Sequence, residues 1–153
     1  MPAFVPLPER SFYEQEFAGS AIVVSLAEPD RGVVDEVGRV ATSLARVGAP
    51  LVLVVGTGSP DGASRLVELL TAVVGRPPAV LAGVGSSALD VDRLADLWLA
   101  VHASPSVVVP VPAGQEARGY YNLMSRTGFH GHLRHDRCDG IAFVERAFMN
   151  RPS

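Results

Sequence analysis

The chain contains no lysine: all thirteen of its basic side chains are arginine. That absence excludes every chemistry that depends on a lysine, including a phosphate-gripping P-loop lysine and a Schiff base. Cysteine is nearly absent too. The single one, Cys138, cannot build an internal disulfide framework, which suits a reducing cytoplasm. There is no basic excess. The net charge of −3 gives no electrostatic reason to expect nucleic acid or an anionic membrane surface as partner. No apolar run reaches the roughly 18 residues of a membrane span, and the opening MPAFVPLPERSFYEQEF lacks the apolar stretch of a signal peptide.

What remains is a chain of 153 residues, long enough to bury a core, of which 48% are hydrophobic. Residues 1–20 read as an irregular arm, with Phe12, Tyr13 and Phe17 as candidate anchors. AIVVSL (21–26), PLVLVVGTG (50–58), PAVLAGVG (78–85) and SVVVPVP (106–112) read as strands, the third the weakest. Pro110 and Pro112 suggest that the fourth lies near a sheet edge, where a dimer contact would be permitted.

Three segments between these strands have helical periodicity. Residues 32–49 place Val33, Val37, Val40, Leu44 and Val47 on one stripe. Residues 61–75 follow with Asp61 or Ser64 as N-cap, and 88–103 put Leu94, Leu97, Trp98 and Val101 on one face. Strands alternating with such helices indicate an α/β fold with a largely parallel sheet and helices on its faces. Uninterrupted apolar strands agree with burial on both sides.

After residue 112 the composition shifts toward Arg, His, Gly and aromatics. The shift marks a C-terminal β-rich segment, 113–153, completing the 20–112 core. It is too short to fold alone, so residues 1–153 read as one domain. ARGYYNLMSR is ambiguous between helix and strand, and GIAFVER is a strand candidate.

Two stretches carry candidate chemistry. GTGSPDGAS (56–64) is a glycine-rich strand-to-helix turn that could present backbone N–H groups to a phosphate. It matches neither G-x-G-x-x-G nor a Walker loop, and a plain tight turn accounts for it as well. GFHGHLRHDRCDG (128–140) gathers His130, His132, His135 and Cys138. Imidazole and thiolate suit zinc and imidazole suits haem iron, but the spacing is not that of a standard zinc module. A solvated turn without ligand is the plain reading. Cys138 is a poor nucleophile candidate, because Asp136 and Asp139 on either side raise its pKa.

The run 119–149 resembles the HutX/ChuX family of intracellular haem-utilisation proteins. The residues that carry the resemblance are Gly119, Tyr120, Tyr121, Asn122 and Leu123; then Gly128, Gly131 and His132; then Cys138; then Ile141, Ala142, Glu145, Arg146, Phe148 and Met149. The resemblance implies a non-catalytic cytoplasmic protein that binds haem for utilisation, storage or transfer. It also implies an α+β fold as the alternative architecture. It points to His132 as the haem ligand and, through the Val101–His102 pair, to His102 as a second iron ligand. Tyr120, Tyr121, Phe129, Phe143 and Met149 are candidates for an apolar wall, with core packing as the competing reading. Arg126, Arg134 and Arg137 are candidate partners for the propionates.

Residues 10–60 resemble, more loosely, the first strand–helix–strand unit of the amino-acid kinase family. SLAEPD stands where that family has a lysine and paired glycines. The alternative function implied is a degenerate kinase-like domain without kinase activity, sensing a ligand near 56–64.

Overall fold

The computed structural model describes residues 20–27, 31–46, 48–57, 60–86 and 89–133. The described residues alternate strand and helix: β1 (Ile22–Ala27), α1 (Arg31–Ala45), β2 (Leu51–Thr57), α2 (Pro60–Val74), β3 (Ala79–Val80), α3 (Val91–Ala103), β4 (Ser106–Pro112), α4 (Glu116–Thr127) and β5 (His130–Leu133). The five strands form one sheet in the order β3-β4-β2-β1-β5, and every pairing is parallel. The α/β architecture expected from the sequence is the one observed, and no helix among the described residues is long and apolar enough to cross a membrane.

The uninterrupted valine runs follow from burial on both faces. Ile22, Val24 and Leu26 of β1 join Leu51, Leu53 and Val55 of β2 beneath α1 and α2, where Val37, Leu44, Leu66 and Leu70 close the layer. Val23, Val52, Val54, Val107 and Val109 face the other way, beneath α3 and α4, against Leu97, Val101, Tyr120 and Leu123. Alternate residues of each strand thus enter opposite layers, as the pleat requires. The chain runs outward from β1 to β3 through the α1/α2 layer. It returns through the α3/α4 layer to lay β4 beside β2, and then β5 on the far side of β1.

Several details depart from the sequence reading. The third strand shrinks to Ala79–Val80, its continuation 82–85 forming a turn. β4 is an interior strand, not an edge. The prolines are tolerated because β3 pairs only with Val107 and Val108, leaving the half of β4 that carries Pro110 and Pro112 with β2 alone. A dimer contact through Ser106–Val108 is therefore not favoured by a free edge. The helix α2 starts at Pro60, so Asp61 lies inside its first turn. Trp98 is half exposed, 50%, although its neighbour Leu97 is buried. The ambiguous ARGYYNLMSR stretch is helix α4. The arm up to Gly19, Val47, Gly58, Ser59 and GIAFVER lie outside the described residues.

The helix α3, which carries Trp98 and His102, begins at an N-cap. Asp90 Oδ1 accepts a hydrogen bond from the Arg93 N–H at 2.8 Å. This satisfies one of the donors a helix start leaves open. Asp90→Ala is expected to lower stability by about 1 kcal/mol, read from chemical denaturation, and Asp90→Asn is expected to retain most of it.

Candidate functional site

The chain enters the sheet repeatedly at one end, and there the structure holds a cavity of about 450 Å³. Its walls come from segments just before the strands: Ser20 and Ala21 before β1, Pro50 before β2, Pro105 before β4 and Phe129 before β5. The last turns of α3 add Trp98, Val101 and His102, and Arg76 reaches in from the α2–β3 connection. The volume lies within the range of small-molecule and cofactor pockets.

Helical spacing positions two of these side chains. Residues 98 and 102 are one turn apart on α3 and share a face. Their rings stand 5.2 Å apart, tilted by 52°. His102 Nδ1 lies 2.7 Å from the Trp98 carbonyl oxygen. A carbonyl oxygen only accepts, so Nδ1 carries the proton and donates. The neutral ring then presents its lone pair at Nε2, the arrangement in which a main-chain carbonyl orients an imidazole for a metal.

Phe129 reaches Trp98 from the other side. The two rings lie 12° from parallel with centroids 5.8 Å apart. Phe129 is buried, whereas Trp98 keeps half its surface open. It is held by the end of α4, where Gly128 turns with φ of 70° and the Phe129 N–H donates to Thr127 Oγ1 at 3.3 Å. The cavity thus combines an aromatic wall, an imidazole and one guanidinium.

The remaining sequence candidates are distributed differently. Tyr120 is buried in the α3/α4-side core and lies over Gly131 of β5. Tyr121, next along the helix, is 59% exposed and borders a separate shallow hollow with Arg118, Asn122 and Ser125. The two tyrosine rings meet edge to face at 5.4 Å. Arg126 is on the exposed last turn of α4. For His132 the backbone is described: it sits in β5 level with Val24 of β1. Arg134, His135, Arg137, Cys138, Phe143 and Met149 lie outside the described residues. Among the described residues, no three His, Cys, Asp or Glu side chains gather as metal ligands.

Burial raises the Tyr120 phenol above its ordinary pKa of 10.0, and the neighbouring Tyr121 adds to the shift. A phenol with a raised folded pKa contributes stability that is intact below the unfolded value and is lost as pH rises through the folded one. Near-ultraviolet absorbance titration is expected to show one tyrosine ionising late, above about pH 10, with thermal stability falling over the same alkaline window. Tyr120→Phe is expected to remove the late phase.

Trp98 and Arg76 were not among the site candidates read from the sequence. Trp98 carries a usable signal, since it stands four residues before a histidine in one helix. Arg76 carries none, because only the return of β4 and β5 brings the α2–β3 connection beside α3.

No protein-family model matches the chain. Over 48 residues it is 50% identical to the intracellular heme transport protein HutX of Vibrio cholerae serotype O1. The match covers 31% of this chain and 25% of that protein, so the chain spans about a quarter of the length of the curated relative it matches. The resemblance to the HutX family is therefore a partial one.

Proposed function

We propose that this protein binds haem inside the cell and serves its utilisation, storage or transfer, without a catalytic step of its own. One observation carries the reading. The amino-end cavity holds an imidazole oriented through Nδ1, with Nε2 left for iron, beside the aromatic wall of Trp98 and Phe129. Haem asks for an axial imidazole, an apolar surface for its ring and cations for its propionates. His102 supplies the first and the stacked rings the second. Arg76 supplies a fork of donors that suits a carboxylate. The partial match to a heme transport protein supports the same ligand.

His132, which the resemblance puts first, is the alternative iron ligand of this proposal, because its place in β5 is level with Val24 of the α1/α2 layer, whereas His102 and Phe129 line the cavity on the α3/α4 side. Arg134 and Met149 belong to that alternative as residues of the run 119–149. Tyr120 acts from the core as support for α4, and Tyr121 remains a surface residue outside the cavity. A cytoplasmic location agrees with the lone cysteine. The test is a haemin titration followed by absorbance, with His102→Ala and His132→Ala run beside the unaltered chain. A saturable one-site Soret band weakened by either substitution supports the proposal. An unsaturable band identical in all three proteins refutes it.

A further inference from the structure

The charge of the amino-end cavity discriminates between two forms of the ligand proposed for it, an inference that rests on the haem reading. Among the described residues that line the cavity, Arg76 is the only one with a permanent charge, and no aspartate or glutamate stands beside it. Haem carries two ionised propionates. With ferric iron the whole molecule has a single net negative charge, and with ferrous iron it has two. Arg76 therefore balances ferric haem and leaves ferrous haem with one negative charge uncompensated. In a partly buried site an uncompensated charge is costly.

The helix that supplies the imidazole acts in the same direction. His102 and Ala103 belong to the last turn of α3, and both line the cavity. The final main-chain bond of that helix runs from the Ser104 N–H to the Ala100 carbonyl at 3.0 Å. Pro105 has no N–H with which to extend the series. The carbonyls of Val101, His102 and Ala103 thus form the negative end of the helix dipole at the cavity rim. That end opposes added negative charge and favours the more positive iron centre. The imidazole does likewise. Its Nδ1–H donates to the Trp98 carbonyl at 2.7 Å, and such a bond makes Nε2 the stronger electron donor. A stronger donor stabilises ferric iron more than ferrous iron.

One effect runs the other way. An apolar wall penalises the positive charge of a ferric centre. Here the wall is open, because Trp98 and His102 are both exposed, so water reaches the centre and screens it. The counter-charge and the helix end therefore win. We propose that this cavity selects ferric over ferrous haem, with Arg76 as the single counter-charge and the carboxyl end of α3 as the negative rim. Ferric iron does not bind dioxygen, which suits a carrier without a catalytic step.

The test uses the full chain, titrated with haemin and, under argon, with dithionite-reduced haem. Haemin is expected to bind at least about tenfold more tightly. In spectroelectrochemistry this appears as a midpoint potential at least about 59 mV below that of free haem in the same buffer. Arg76→Gln is expected to weaken both forms and to widen the ratio, since the more negative ferrous form loses more. Ala103→Arg adds a second cation on an exposed residue of the last helical turn, a place that favours one, and is expected to narrow the ratio. The proposal is overturned if reduced haem binds as tightly as haemin, or if neither variant moves the ratio. Failure of both forms to bind refutes the haem reading itself and this inference with it, whereas equal binding of the two refutes only the inference.

Discussion

Haemin is expected to quench Trp98 fluorescence saturably as the Soret band grows, and His102→Ala is expected to weaken binding by at least about tenfold. The magnitudes follow from the parts of the cavity. Trp98 is the chain's one tryptophan, and it forms the cavity wall, so its emission reports this site alone. Removing the imidazole deletes an iron ligand but leaves the aromatic wall, so loss should be large and incomplete. His102→Met, which restores a ligand of another kind, should recover part of the affinity with a shifted band. Trp98→Ala should weaken binding without moving the band, because it removes contact area and no ligand. A strong effect of His132→Ala beside a silent His102→Ala would transfer the iron to β5 and leave the cavity with another role. Intact binding in both variants would sink the proposal.

Gly119→Val is expected to cost about 2–3 kcal/mol, near the upper part of the range for overpacking a filled core. Glycine inside a helix normally costs about 0.5–1 kcal/mol relative to alanine, so propensity alone argues for replacing it. Packing argues the other way. A Cβ on Gly119 would lie 2.9 Å from the Gly85 carbonyl oxygen and 3.0 Å from Val54 Cγ1. Neither a main-chain oxygen nor the fully buried Val54 of β2 can yield, so α4 must lift from the sheet. The steric effect therefore wins. In a domain of this size the melting temperature should fall by very roughly 4–10 °C. An unchanged melt would mean that α4 does not pack where the structure places it. Because Phe129 follows directly from α4, haemin affinity should fall together with stability.

The architecture was legible in the sequence because a doubly buried sheet demands uninterrupted β-branched runs, and VVSL, LVLVV and SVVV are such runs. Helices α1 and α2 were legible from their apolar stripes. The position of β4 was not. Two prolines read as an edge, and only the brevity of β3 explains how an interior strand accommodates them. The nature of 116–127 was not legible either, since tyrosine, leucine and methionine fit helix and strand alike. Of the site, His102 and Phe129 could be named from sequence, but not their meeting. That depends on α3 ending, and β5 beginning, at the same end of the sheet. Arg76 is a product of topology and leaves no local pattern.

The pairing of β1 with β5 joins Ile22 to His130, roughly a hundred residues later in the chain. Contacts of such separation form late, since the loop must close before they reward it. At ordinary rates of synthesis the outer rim of β1 therefore waits on the order of ten seconds for its partner to emerge from the ribosome. During that interval the apolar IVVSLA segment presents unsatisfied backbone groups, a template for pairing with another nascent chain. The protein's vulnerable moment thus falls during its synthesis, and β5 ends it as the clasp that seals β1.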